Sequence, residues 1–199
     1  YKGINVETLT LANNPLTTYP VEFAQSGSKI NYINMRGWRL SDVPKEAFEG
    51  ENVKYLMSLD FSYNDLNDLP SSFNAVNMPY FYGMELSYNE FSKFPFEPLD
   101  CSGLTVFGIR GQRNDAGERC LSQWPEGIYQ HTGLKGFYIG SNNLGMITDK
   151  ISPLCYYLEV SDNPNIILDA STVCYEYSIG AYYLIYDKTQ DIRGCAIMK

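Results

Sequence analysis

Histidine is almost missing from this 199-residue chain, which carries His131 and no other. A Ser-His-Asp or Cys-His nucleophile needs an imidazole beside it, so such chemistry has a single candidate base. Glycine-rich phosphate loops, HExxH and GxSxG are also absent, and the sequence predicts no catalysis, no cofactor and no metal. No apolar run approaches the roughly 18 to 20 residues that a membrane-spanning helix requires. Long charge blocks and low-complexity stretches are missing too, and nothing resembles disorder. Bases are scarce, 15 against 23 acids, for a net charge of -8. Such a surface repels phosphate backbones and, with no basic stripe to offset it, argues against nucleic acid. The chain opens at Tyr1 without a methionine. A processed or trimmed product is therefore expected, with any targeting segment, anchor or neighbouring domain removed.

The five cysteines, Cys101, Cys120, Cys155, Cys174 and Cys195, are odd in number and include no CxxC pair. They give no zinc signature and no dense disulfide framework. At least one thiol must stay free or pair between chains. Cys174 and Cys195 could staple the terminus to the body.

What the chain does have is 44% hydrophobic and 15% aromatic residues, enough for one domain with a substantial core. Those residues recur on the pattern apolar-x-x-apolar-x-apolar-x-x-Asn. Val6, Leu9, Leu11 and Asn14 fit it, as do Leu56, Leu59, Phe61 and Asn64. Phe81, Met84, Leu86 and Asn89 follow, then Leu134, Phe137, Ile139 and Asn142, then Cys155, Leu158, Val160 and Asn163. Ile30, Ile33 and Met35 lead to Trp38 in place of Asn, and Leu104, Phe107 and Ile109 lead to Gln112. Ile179, Tyr182 and Leu184 make a degenerate last copy. The third apolar positions fall at 11, 35, 61, 86, 109, 139, 160 and 184. A second marker keeps the same register: a proline closes LTTYP, LSDVP, LNDLP, FSKFP and LSQWP, ending at Pro20, Pro44, Pro70, Pro95 and Pro125.

The apolar-x-apolar step has period two and reads as a short strand with one buried face. Asn in the following turn can donate and accept together, tying its loop to the adjacent coil. Proline fixes φ where the chain starts its return. One copy cannot bury its apolar face alone, so the copies must stack.

These residues resemble the leucine-rich repeat family across nearly the whole chain, at the spacing of about 20 to 29 residues typical of it. The resemblance implies an α/β fold: a right-handed, curved solenoid with a parallel concave sheet and an irregular or short-helical convex side. It implies one domain over residues 1–199 of about eight repeats, with 174–199 as degenerate last repeat and C-terminal cap. The Tyr-rich, Lys-poor copies look like those of secreted or surface-anchored bacterial members. The absence of any N-x-[ST] sequon points away from a eukaryotic ectodomain.

Asn14, Asn64, Asn89, Asn142 and Asn163 are the expected structural ladder. Trp38 breaks it, so a backbone partner there must come from elsewhere, such as water. Cys155 falls on a core position and reads as a small buried hydrophobe. The insertion Gln112 to Cys120 (QRNDAGERC) reads as a polar surface loop. No comparable cap precedes the first copy, so more protein is expected before Tyr1. His131 lies in the return segment IYQHTGL, away from the concave sheet, and reads as a polar turn residue.

The residue between the last two apolar positions must face outward. That row runs Thr10, Asn34, Asp60, Glu85, Gly108, Tyr138, Glu159 and Tyr183, with Arg36 and Arg110 in the row beside it. Tyr63 and Tyr88 precede ladder asparagines on consecutive coils. The expected ligand-binding residues are therefore Asn34, Arg36, Asp60, Tyr63, Glu85, Tyr88, Arg110, Tyr138, Glu159 and Tyr183. Asp60 and Glu85 place like charges side by side, which is destabilising. Either a basic partner relieves them or Arg36, Arg110 and water screen them. Tyr63 and Tyr88 either form a binding hot spot or pack along the solenoid edge. The leading expectation is a protein or peptide ligand on the concave sheet. The alternatives are a glycan stacked on Tyr138 and Tyr183, or a structural spacer for a missing domain.

Overall fold

The computed structural model describes residues 6–25, 29–147, 155–169, 183–187 and 191–193. Each copy of the pattern contributes one three-residue strand: β1 (Thr8–Thr10), β2 (Tyr32–Asn34), β3 (Ser58–Asp60), β4 (Gly83–Glu85), β5 (Val106–Gly108), β6 (Gly136–Tyr138) and β7 (Tyr157–Glu159). β8 (Ile167–Asp169), β9 (Tyr183–Ile185) and β10 (Asp191–Arg193) follow. The main sheet is parallel in the order β1-β2-β3-β4-β5-β6-β7-β9, while β8 and β10 pair as a second, parallel two-stranded sheet. Consecutive strands lie side by side, as a coil-by-coil solenoid requires. The return segments carry one short helix, α1 (Glu22–Gln25), and 3₁₀ turns at Lys45–Phe48, Val53–Tyr55, Glu97–Asp100 and Ile128–Gln130. Of the expected cap, only 183–187 and 191–193 are described; Cys174 and Cys195 lie outside the described residues.

The apolar positions of neighbouring coils fill one continuous core. Leu59, Met84, Phe107, Phe137 and Leu158 are register partners along the sheet, each at most 2% exposed. Behind them phenylalanines stack edge to face, Phe48 on Phe73 at 4.8 Å and Phe73 on Phe81 at 5.0 Å between centroids. Full burial of one such side chain is worth about 1.5 to 3 kcal/mol, so the solenoid rests on this spine. The first coil is less protected, with Val6, Leu9 and Leu11 only partly buried. Cys155 is 1% exposed, and burial pushes its thiol up to about 12; Cys101 is held at about 12 by burial and then by Asp100. Neither forms a thiolate near neutral pH.

The asparagine ladder works through paired bonds. Asn64 Nδ2 donates to Met35 O (3.0 Å) and Phe61 O (2.9 Å), while its Oδ1 accepts from Trp38 N (2.9 Å) and Leu40 N (3.0 Å). Asn89, Asn142 and Asn163 likewise donate both to their own coil and to the coil before. Asn14 is exposed and, among the described residues, donates within its own coil, to Leu11 O and Ala12 O. One expectation is corrected in part. Trp38 supplies the donor half of the missing amide itself, its Nε1 donating to Leu11 O at 2.5 Å, the carbonyl one coil back, while an indole offers nothing in place of the accepting oxygen. Gln112, at the Asn position of its copy, joins the ladder: its Nε2 donates to Leu86 O (3.0 Å) and its Oε1 accepts from Phe91 N (3.1 Å). A longer amide reaches the same two coils.

The insertion after Gln112 is exposed, as expected, but ordered. Arg113 and Arg119 form an antiparallel bridge, and Asn114 N donates to Glu118 O at 2.9 Å. Arg119 then crosses to later coils, donating from Nη1 to Asn142 O (3.1 Å) and pairing through Nη2 with Asp162 Oδ1 (2.6 Å).

Candidate functional site

Strand pairing settles which outward residues are neighbours. Register runs Thr10, Asn34, Asp60, Glu85, Gly108, Tyr138, Glu159 across seven strands, as the alternation predicts. The eighth position is corrected. Leu184 pairs with Leu158, and Ile185, not Tyr183, stands beside Glu159. Tyr183 pairs with Tyr157 one row over; Leu184 therefore fills the middle apolar position rather than the third. The weak pattern of the last copy, YYLIY, allows either frame on apolar character alone.

Acceptors in this central row bend back onto the backbone two residues later. Asn34 Oδ1 accepts from Arg36 N (3.0 Å), Asp60 Oδ1 from Ser62 N (2.9 Å) and Glu85 Oε1 from Ser87 N (2.8 Å). Glu159 Oε1 accepts from Ser161 N (3.1 Å) and from the Ser161 hydroxyl. These turns satisfy the chain where it leaves each strand. The predicted row is therefore structural as well as outward-facing.

Beyond that shared turn the rows diverge. Glu159 is buried, 7% exposed, and its Oε2 pairs with Arg110 Nε at 2.8 Å. Gly140, between them on the intervening coil, makes the approach feasible: a Cβ there would stand 2.7 Å from the Glu159 carboxyl carbon. Arg110 also lies 4.4 Å over the Tyr138 ring. Glu159, Arg110 and Tyr138 thus satisfy one another inside the chain. On β3 and β4 the equivalent acids, Asp60 and Glu85, pair with no base among the described residues. Glu85 lies flat over Gly108, where a Cβ would come within 2.6 Å of its Oε1.

The position just before each ladder residue is left-handed in every described coil: Asn13, Gly37, Tyr63, Tyr88, Gly111, Ser141 and Asp162, with φ between 54° and 71°. Glycine, Asn and Asp adopt this conformation cheaply, whereas a bulky side chain there costs roughly 1 to 2 kcal/mol. Tyr63 and Tyr88 accept that cost while remaining 44% and 39% exposed. Their rings stack at 4.3 Å, and the Arg36 guanidinium lies 4.0 Å over Tyr63. Burial, then Tyr63, push the Tyr88 hydroxyl above its ordinary value, against the pull of Arg110. Arg36, Tyr63 and Tyr88 form one continuous stack along the trailing edge of the concave face.

The opposite, leading edge escaped the sequence reading. Met57, Tyr82, Val106, Tyr156 and Tyr157 are all exposed there. The pattern places two residues between the first and second apolar positions, and on the coils of β3 to β7 at least one of the two is exposed, the other being a buried glycine on β4 and β6. That spacing is visible in the sequence, as a second set of positions outside the apolar repeat at the start of each strand. His131 ends a 3₁₀ turn, with Nε2 3.2 Å from Leu104 O. Among the described residues no cluster of His, Cys, Asp and Glu could hold a metal ion, and no helix is long and apolar enough to cross a membrane.

No protein-family model and no curated protein matches the chain. Solved structures do. It is similar to a leucine-rich repeat protein from Bacteroides thetaiotaomicron VPI-5482, with 41% identity and a TM-score of 0.92 over 98% of this chain and 24% of that one. A leucine-rich repeat protein from Bacteroides eggerthii DSM 20697 is 44% identical, TM-score 0.90, over 97% and 32%. A leucine-rich repeat protein of Leptospira interrogans, 21% identical, shares the fold at a TM-score of 0.60 over 82% and 44%. The chain thus spans about a quarter and a third of the two Bacteroides proteins.

Proposed function

The chain is a leucine-rich repeat protein, and from that premise we propose that it is a non-catalytic scaffold holding a protein or peptide ligand on its concave sheet. A repeat solenoid of this kind is a protein-interaction scaffold in general. One observation carries the finer reading: two exposed tyrosines occupy backbone positions that other coils give to Gly, Asn, Asp or Ser. Strain kept at a surface where a cheaper residue would serve marks a position held for contact. Tyrosine supplies that contact with large area and few rotors. The leading-edge residues Met57, Tyr82, Val106 and Tyr157 give the same face a second apolar border.

The glycan alternative has less support. Its platform Tyr138 has Arg110 over one ring face, and its own Cε2 would lie 3.2 Å from a Cβ at Gly136. Bacterial neighbours, and the lack of a membrane-crossing helix among the described residues, are compatible with a place outside the cell, which we adopt as the working location. We also take residues 1–199 as one domain closed by 174–199.

Panning a linear peptide library displayed on phage against the purified chain tests the reading. Enriched peptides should lose binding when Asp60, Tyr63, Glu85 and Tyr88 are replaced together by alanine. Absence of enrichment, or enrichment indifferent to the four replacements, overturns it.

A further inference from the structure

The concave face already contains a guanidinium site satisfied by its own chain. Arg110 reaches across one coil, over Gly140, to pair with Glu159 at 2.8 Å, while lying 4.4 Å over Tyr138. Arg36 holds the corresponding position toward the other end of the sheet. The backbone bonds Gly37 N to Ser62 O, Tyr63 N to Ser87 O, Tyr88 N to Arg110 O and Gly111 N to Gly140 O put Arg36, Ser62, Ser87, Arg110 and Gly140 in one row. Two coils beyond Arg36 stands Glu85, just as Glu159 stands two coils beyond Arg110.

The intervening residue differs. Where the later half has Gly140, the earlier half has Ser62, whose hydroxyl donates to Asp60 Oδ1 at 2.6 Å and accepts from Arg36 Nη1 at 3.4 Å. Arg36 halts there, over Tyr63, and no ion pair with Glu85 forms. Asp60 and Glu85 are direct register partners, about 4.8 Å apart at the backbone. Each has one oxygen engaged by its turn, and the other accepts nothing from the described residues. Two such carboxylates repel, and a planar cation between them removes the repulsion. Tyr63 and Tyr88 border the pair on the trailing edge, Met57 and Tyr82 on the leading edge.

We propose that Asp60 and Glu85, bordered by Tyr63, Tyr88, Met57 and Tyr82, receive an arginine side chain of an extended segment of a partner protein. The inference rests on the concave-face reading above and specifies its ligand. Arginine fits better than lysine because its fork meets two carboxylates and its plane lies on a tyrosine ring. The chain itself sets Arg110 over the Tyr138 ring while it pairs with one carboxylate, that of Glu159. A neutral sugar would leave the paired charge unrelieved, and a nucleic acid would add to it.

The test uses fluorescein-labelled heptapeptides with arginine at two alternate positions, and the same peptides with lysine or citrulline, titrated by fluorescence anisotropy against the full chain. The arginine peptide should bind, the lysine peptide several-fold more weakly and the citrulline peptide at least about tenfold more weakly. Asp60→Asn with Glu85→Gln should also cost the arginine peptide about tenfold, since each amide oxygen keeps the turn bond while the charge is lost; an unchanged thermal melt confirms the fold. Ser62→Gly, which opens the path from Arg36 to Glu85, should weaken binding as well. Equal binding of arginine and citrulline peptides, an unaffected double variant, or no binding of any of the three overturns the proposal. Binding of a neutral glycan that the double variant abolishes also overturns it, in favour of the other ligand class. Library peptides that bind the concave face without needing arginine would sink this inference and leave the broader reading standing.

Discussion

Between β2 and β4 the acids of the concave face meet no base among the described residues, whereas between β5 and β7 the chain neutralises Glu159 with a base of its own. Both halves share the strand frame, the bent-back carboxylates and an arginine in the same row. What separates them is the intervening coil, which sets Asp60 and Ser62 between arginine and acid in one half and Tyr138 and Gly140 in the other. A repeat fixes which positions are neighbours; the smallest residue in a row decides whether a charge is settled within the chain or left facing solvent. The trailing edge repeats the contrast. Asp162 is tied to Arg119, while Glu90 meets like charge from Asp115 and Asp65.

The largest effect should come from breaking the settled half. Glu159→Ala leaves Arg110 and the N–H groups of Gly140 and Ser161 without their acceptor. The loss should be about 2 to 3 kcal/mol, below that of a fully buried pair because Arg110 is 31% exposed. Glu85→Ala in the open half removes one turn bond and should cost about 1 kcal/mol or less. Urea unfolding of the two variants reads the difference directly, and equal costs would erase the distinction between the halves. Gly140→Ala, which pushes the Glu159 carboxylate off Arg110, should fall near Glu159→Ala in the same assay.

A smaller effect concerns the strained tyrosines. Replacing both Tyr63 and Tyr88 with glycine relieves the left-handed backbone but removes a stack worth about 0.5 to 1.5 kcal/mol. Stability should stay within about 1 kcal/mol of the parent while peptide binding is lost. A loss of several kcal/mol would instead make the pair part of the structural frame.

The smallest effect is on pH dependence. Arg119 holds the Asp162 carboxyl below its ordinary 3.8, so its contribution is present above that value and is lost as pH falls through the folded one. Burial, then Asp115 and Asp65, raise Glu90 above its ordinary 4.5, so its ionisation removes stability as pH rises through the window just above 4.5. Thermal melts across pH should show the low-pH loss shrinking in Asp162→Asn and the decline above 4.5 shrinking in Glu90→Gln. Unchanged profiles would mean that neither acid differs between the folded and unfolded chain.

Much of the fold was legible because a repeat states its own contacts. Leu59, Met84, Phe107 and Phe137 could be placed on successive rungs from spacing alone, since equal spacing in a stacked coil is adjacency in space. Legibility failed where a different residue does an old job, as with Trp38 and Gln112 in the ladder. There the requirement is a donor at the right reach, not an asparagine. It failed again at the last copy, where Leu184 fits either of two apolar positions and pairing with Leu158 decides between them.

The coil period, the outward row from Thr10 to Glu159 and the juxtaposition of Asp60 with Glu85 are written into the order of residues, because period and alternation are local properties of the chain. Which of those charges are settled depends instead on how the coils pack. Arg110 and Glu159 are 49 residues apart and meet through space, across a glycine whose missing side chain has meaning only once the coils are stacked. The left-handed backbone under Tyr63 and Tyr88 is likewise imposed by closing each coil onto the next, a demand that no tyrosine announces in a linear chain.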